Sequence, residues 1–235
     1  MTAKALLLAG GLGTRLRPIT ETTPKCLVPV AGRPMLEYWY DALEQAGITQ
    51  VLLNTHHHAE QVRAHIATTN ATRALTVTEA YEPELLGSAG TVHANRAWAD
   101  DADEVVIIYA DNLSDVDLGD VLAFHRGHDD PMTMMLFHTA YPKQCGIATL
   151  DGDRIVDFVE KPENPASDLA NAGLYVVDAD CWREIADKNV FDFGFDVISD
   201  YIGKMQGFSH TGYHRDIGNH EALAAANEDA KRLFP

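Results

Sequence analysis

Along the first half of the chain, unbroken apolar runs alternate with segments whose apolar positions are three and four apart. "KALLLA" (4–9) is an apolar run ahead of glycines, which predicts a strand buried on both faces. "PMLEYWYDALEQAG" (34–47) opens on proline, repeats apolar residues at helical spacing and stops at Gly47, so it predicts a helix with Tyr38, Trp39 and Tyr40 as packing residues. "QVLLNT" (50–55) predicts a strand, "AEQVRAHI" (59–66) a helix and "ALTVTEA" (74–80) a strand. "SAGTVHANRAWA" (88–99) predicts a helix, and "EVVIIYAD" (104–111) a strand ending on a carboxylate. This alternation predicts a parallel sheet with helices on both faces and right-handed crossovers.

Beyond Pro131 the pattern changes. "MTMMLFHTA" (132–140), "GIATLDGDRIVDFVEK" (146–161) and "AGLYVVDAD" (172–180) read mostly as strands, with "DGD" (151–153) as a hairpin turn. The tail "EALAAANEDAKRLF" (221–234) predicts a polar-faced helix. With no linker composition and no internal repeat, the expectation is a single α/β domain over 1–235. Its alternating half covers 1–130, and its other half, 131–235, adds strands and a mixed sheet.

Composition changes this picture little: 46% of residues are apolar and 23% charged, as in ordinary globular chains. Cys26, Cys145 and Cys181 have no CxxC spacing, so neither a zinc site nor a disulfide framework is indicated. No apolar run approaches the ~20 residues of a membrane helix, and Gly10, Gly11 and Arg15 interrupt the opening stretch too early for a signal peptide. A cytoplasmic protein without a membrane partner is expected. Charge is more informative. Against 35 Asp and Glu stand 18 Lys and Arg, giving −17, which argues against nucleic acid as a partner.

The candidate chemistry begins at "LLLAGGLGTRLRP" (6–18). A dinucleotide fingerprint would need GxGxxG, but Leu16 stands at the third glycine, and no lysine follows to make a Walker A loop. What remains is a glycine turn whose amides can face phosphate oxygens, with Arg15, Arg17 and Lys25 close behind. In so acidic a chain, a polyphosphate ligand requires these cations, or a metal, to be gathered at one spot.

"LAGGLGTRLRPIT…PKCLVPVAGRPML" resembles the opening signature of the sugar-phosphate nucleotidyltransferases, which join a sugar 1-phosphate to an NTP and release pyrophosphate. "LLGSAGTV" (85–92), "YADN" (109–112), "FVEKP" (158–162), "NAGLYV" (171–176) and "RDIGNHEAL" (215–223) follow in the family's order. The resemblance implies a Rossmann-like, mostly parallel sheet of the glycosyltransferase-A type, a nucleotide-binding half and a sugar-phosphate-binding half. It implies that Leu8, Ala9, Gly10, Gly11, Gly13, Thr14 and Arg15 hold the nucleotide, together with Glu82, Glu84, Gly87 and Ser88. Arg15, Lys25, Asp111 and Lys161 would be catalytic, and Asp111 and Asp216 would bind Mg²⁺. Asn112, Gly146, Glu160, Lys161, Asn171 and Gly173 would take the sugar phosphate.

Guanine offers two donors on one edge, which a carboxylate can accept, so a glutamate near Gly87 points to GTP. The resemblance extends to guanylyltransferases acting on mannose or heptose 1-phosphates, and self-association into a homo-oligomer is compatible with it. UTP, dTTP, CTP or ATP with a glucose-type acceptor stays open, as does a non-catalytic nucleotide-sugar-sensing subunit. A glycosyltransferase would want a DxD motif, which "DVD" (115–117) matches in letters. Three departures from the family pattern stand out: Cys26 for proline, Ala110 for glycine, and Asn219-His220 for Thr-Pro, the last bearing on the Asp216 loop. His56, His57 and His58 are adjacent rather than at metal-ligand spacing, which predicts a structural use; lone His93, His125 and His210 are read the same way.

Overall fold

The structure, a computed structural model, describes residues 1–234. In chain order its elements are β1 (Ala3–Leu8), β2 (Pro29–Val30), β3 (Arg33–Pro34), α1 (Met35–Gln45), β4 (Gln50–Thr55), α2 (Ala59–Thr72), β5 (Thr76–Tyr81) and α3 (Ser88–Ala94). There follow β6 (Glu104–Tyr109), β7 (Asn112–Ser114), α4 (Leu118–His125), β8 (Met132–His138), β9 (Gly146–Asp151), β10 (Arg154–Glu160) and β11 (Leu169–Asp178). The last are α5 (Ala179–Lys188), α6 (Ile198–Tyr201), β12 (Met205–His210), β13 (His214–Asp216) and α7 (His220–Leu233). The expected α/β architecture, sheet strands flanked by helices, is present. Among the described residues no helix is long and apolar enough to cross a membrane.

The chain forms two compact units, each assembled from segments remote in sequence. One unit contains 5–85, 108–118 and 212 onward; the other contains 1–4, 86–107 and 119–211. Sheet strands fill in an order different from the chain's, so sequence-remote segments become neighbours. In the first unit β5, β4 and β1 lie side by side, all parallel, with Leu6 opposite Leu52 and Leu52 opposite Thr78. The apolar run of β1 leaves Ala5, Leu6 and Leu7 fully buried. Met35, Leu36, Trp39, Tyr40 and Leu43 of α1 are buried at helical spacing, as the sequence pattern requires.

The other unit is the mixed part. Its strands run in the order β6-β11-β8-β12-β10-β9. β8 is antiparallel to β11 and parallel to β12, while β10 is antiparallel to β12 and β9. The "DGD" turn joins β9 to β10, with Gly152 at φ 61° as a tight hairpin demands. Around α5 the core packs Trp182, Tyr175 and Phe193 with essentially no exposure.

Several elements differ from the sequence expectation. The helix expected over 88–99 ends at Ala94 and tightens into a 3₁₀ turn at Arg96–Ala99. There the carbonyl of Arg96 accepts the Trp182 indole N–H at 2.9 Å. α2 continues beyond residue 66 to Thr72, because Asn70 exchanges two hydrogen bonds with the backbone of Val77, at 2.7 and 3.0 Å. α5, α6, β12 and β13 were not anticipated.

Candidate active site

After β1 the chain turns through Ala9–Gly13. Asn54, buried near the end of the adjacent strand β4, points its side chain into that turn. Its Oδ1 accepts hydrogen bonds from the amides of Ala9, at 2.5 Å, and Gly10, at 3.0 Å. A Cβ on Gly10 would lie 2.8 Å from Asn54 Nδ2, so the close approach requires glycine. Gly13 has φ 61°, a left-handed conformation, and its carbonyl accepts from the Thr20 hydroxyl at 2.8 Å. Gly11 is exposed, and a Cβ there would meet nothing within 4 Å. The Leu8 carbonyl accepts from the Ala110 amide at 3.0 Å, and Thr14 opens the 3₁₀ turn that carries Arg15.

Lys25 lies on a single 3₁₀ turn and is 8% exposed. Its ammonium donates to Asp111 Oδ2 at 2.5 Å and to Asp216 Oδ1 at 3.5 Å. Arg15 Nη2 stands 3.9 Å from Asp216 Oδ2. These aspartates, remote in sequence, are brought together by the short antiparallel pair β7 and β13. Asp216 is opposite Asn112, and the Ile217 amide donates to the Asp111 carbonyl at 3.0 Å. Gly218 keeps the corner open: a Cβ there would meet Arg15 Nη2 at 2.7 Å and Asp216 Oδ1 at 2.8 Å. The departures at 219 and 220 leave this arrangement in place. Asn219 caps α7 by accepting from the Ala222 amide, and a His220 ring nitrogen sits 2.7 Å from the Arg17 carbonyl. Cys26, next to Lys25, is a packing group; burial pushes its thiol up to about 12.

Glu82 and Glu84 have different surroundings. Glu82 is buried and its Oε1 accepts from Asn54 Nδ2 at 3.1 Å, whereas Glu84 is exposed. In the same unit, the "DVD" match belongs to the scaffold. Asp115 accepts from the Tyr213 amide at 2.7 Å and so fastens the β7–β13 pair. In the histidine run, His56 Nδ1 is 2.8 Å from the Glu82 carbonyl, and His57 Nε2 is 3.2 Å from the Thr20 carbonyl.

The mixed unit holds the remaining site residues. Gly87 has φ 79°, and a Cβ there would come within 2.3 Å of the Phe191 carbonyl. Ser88 Oγ accepts from the Phe193 amide at 2.8 Å, so segment 191–193 braces the start of α3. Glu160 lies opposite Gly146 in the β10–β9 pair, and a Cβ at 146 would meet Glu160 Oε2 at 2.5 Å. Lys161 leaves β10 at φ 48° and donates its amide to the Cys145 carbonyl at 3.0 Å. Its exposed ammonium lies 3.5 Å from Glu160 Oε1 and 6.0 Å from the centre of the Phe195 ring. Asn171 donates to the Tyr175 hydroxyl at 2.6 Å and accepts from the Gly173 amide at 2.9 Å, where the β11–β8 register shifts.

A family model, that of the nucleotidyl transferases, matches residues 4–232. The chain belongs to the nucleotidyl transferase family. It is 33% identical to a mannose-1-phosphate guanylyltransferase of Mycobacterium tuberculosis over 97% of this chain and 64% of that protein. It is 31% identical to the mannose-1-phosphate guanylyltransferase catalytic subunit beta of Danio rerio, over 87% of this chain and 59% of that one. The chain thus spans about three-fifths of the length of these curated relatives. Among solved structures it resembles a Bacillus anthracis protein described as a glucose-1-phosphate thymidylyltransferase by assignment, in complex with a sucrose. That match has a TM-score of 0.87 and 26% identity, over 98% of this chain and 96% of that one. HddC from Yersinia pseudotuberculosis, complexed with GMP-PN, shares the fold at a TM-score of 0.80 and 23% identity, over 97% and 99% of the two chains.

In this nucleotidyl transferase the sequence-predicted residues fall into distinct clusters. Leu8–Gly11, Gly13–Arg15, Lys25, Glu82, Glu84, Asp111, Asn112 and Asp216 lie in the unit of the glycine turn, where Asn112 pairs with Asp216. Gly87, Ser88, Gly146, Glu160, Lys161, Asn171 and Gly173 lie in the mixed unit. Neither Asn54 nor Thr20 is singled out by the sequence as a site residue, although Asn54 ends the predicted strand 50–55 beside the histidine run. Position at a strand end facing a glycine turn is the signal that could have found it.

Proposed function

We propose that the chain transfers a nucleotidyl group from a nucleoside triphosphate to a sugar 1-phosphate, with GTP as donor and a manno-configured acceptor, mannose or heptose 1-phosphate. The observation that carries this reading is buried Lys25, set between Asp111 and Asp216 beside a glycine turn. Membership of the family and the two guanylyltransferase relatives support it.

The reaction asks for positioning and charge neutralisation rather than proton transfer. A sugar-phosphate oxygen, anionic near neutral pH, forms the new bond to the α-phosphorus. The bond from that phosphorus to the β-phosphate oxygen breaks and pyrophosphate leaves, so no side chain has to accept a proton. In this reading the amides from Gly11 to Gly13 and the Arg15 guanidinium face the triphosphate, and Lys25 meets the oxygens of the reacting phosphorus. Carboxylates are the hard oxygen donors that Mg²⁺ takes, so Asp111 and Asp216 would hold it. Bound there, the ion supplies further neutralisation of phosphate charge. Lys161 meets the acceptor's phosphate; Glu160 and Asn171, with the backbone at Gly146 and Gly173, accept or donate to its hydroxyls. Of the two glutamates proposed to read guanine, exposed Glu84 is open to a base, whereas Glu82 is buried against Asn54.

The Bacillus anthracis likeness favours a second reading, in which the donor is dTTP and the acceptor a glucose-type sugar 1-phosphate. Pyrophosphate release from GTP, ATP, CTP, UTP and dTTP, each against a panel of sugar 1-phosphates, separates the two. Release is expected to be greatest with GTP and mannose or heptose 1-phosphate, and absent when either substrate is omitted. Silence across every pair would remove the reading altogether.

A further inference from the structure

We propose that Asn54 is the positioning residue of the nucleotide site: it holds the glycine turn in its triphosphate-accepting shape and ties that turn to Glu82. The proposal rests on the nucleotidyl-transfer reading and adds a residue to it. Asn54 Oδ1 takes the amide hydrogens of both Ala9 and Gly10, at 2.5 and 3.0 Å. Those two amides therefore point at the side chain rather than at a ligand, which leaves the phosphate-facing amides to begin at Gly11. The same amide group sends Nδ2 to Glu82 Oε1 at 3.1 Å. One planar group thus links the turn after β1 to the segment after β5.

The linkage is buried, with Asn54 at 5% and Glu82 at 2% exposure. In that setting an amide flipped end for end would aim Nδ2 at two N–H donors and Oδ1 at a carboxylate, so a single orientation is enforced. Glu82 is itself fixed by its backbone: its amide donates to the Thr55 carbonyl at 2.8 Å, and its carbonyl lies 2.8 Å from His56 Nδ1. A side chain at position 10 would collide with Asn54 Nδ2, so this seating of the turn on β4 depends on glycine there.

Asn54→Ala and Asn54→Asp test this. The aspartate keeps an acceptor for the two amides but sets an oxygen against Glu82, so its defect should shrink as pH falls and the two carboxylates share a proton. In Asn54→Ala, amide hydrogen exchange at Ala9 and Gly10 should accelerate, and the Kd for GTP should weaken about tenfold or more, while KM for the sugar 1-phosphate changes less than about twofold. A folded Asn54→Ala variant that binds GTP as the wild type does would overturn the proposal. So would an Asn54→Asp variant whose nucleotide affinity shows no pH dependence beyond that of the wild type. A wild-type protein that binds no nucleoside triphosphate would instead sink the underlying functional reading, while the exchange measurement still reports whether Asn54 holds the turn.

Discussion

Lys25 shows most clearly what a single residue contributes. Its ammonium is nearly enclosed, yet both aspartates it touches keep access to water, with side chains 36% and 52% exposed. Replacing it by alanine should therefore leave a folded protein, because water can take over the solvation of the two carboxylates. Turnover should fall by about 10²- to 10³-fold, the usual cost of removing one preorganised donor from a charge-developing site. Circular dichroism and pyrophosphate release measured on the same sample check both halves; undiminished turnover would take Lys25 out of the chemistry. Lys25, Arg15, Asp111 and Asp216 are legible in the sequence because each sits in a segment that resembles a family motif. The place of Asn54 near the end of a predicted strand is legible too, but its importance arises only because β4 lies beside β1.

At the scale of elements, the β7–β13 pair does the work that no single motif describes. It has three paired positions, and it sets Asp216 beside the Asp111 segment. One end, beyond the Ser114–His214 pair, is tied by Asp115 and Tyr213, which exchange hydrogen bonds at 2.7 and 3.1 Å. So short a strand has too few residues to show alternation, which is why it escaped the hydrophobic pattern. α5 escaped for another reason: its buried Cys181, Trp182, Ile185 and Ala186 follow directly on the apolar strand β11 and merge with it to the eye.

In the mixed unit, α4 and its neighbours enclose a directional hydrogen-bond chain. The Asp130 amide donates to His128 Nδ1 at 3.2 Å, so the ring proton lies on Nε2, which reaches the Thr133 hydroxyl at 2.8 Å. That hydroxyl then donates to His125 Nδ1 at 2.9 Å, and His125 Nε2 donates to Asp178 at 3.2 Å. Burial, reinforced by His125, holds the His128 pKa below 6.5, against the weaker pull of Asp130 and Asp178. The folded state therefore binds this proton less readily than the unfolded chain, and stability present above pH 6.5 declines as pH falls toward the lowered value. The melting temperature should drop between about pH 7 and pH 5, with a smaller drop in His128→Gln. Parallel curves for the two proteins would exclude His128 as the source.

For the whole molecule the net charge of −17 sets the long-range field met by an anionic substrate. At about 10 mM salt that field reaches ~30 Å, and at about 150 mM only ~8 Å, so added salt hides distant carboxylates before it weakens a cation in contact with phosphate. At fixed free Mg²⁺, kcat/KM for the nucleotide should rise over this range. A steady fall would mean that Arg15 and Lys25 dominate steering even at a distance. The chain's own order of residues was enough for the strand-helix alternation, the glycine turn and the cations that follow it, since these depend on local sterics, periodicity and spacing; Asp111 and Asp216 stand out among 35 acidic residues only through the resemblance of their segments to family motifs. Which carboxylates meet which lysine, which amides Asn54 consumes, and how the second-half strands are ordered depend on contacts between remote segments. Those contacts exist only once burial has packed the strands, and local sequence carries no record of them.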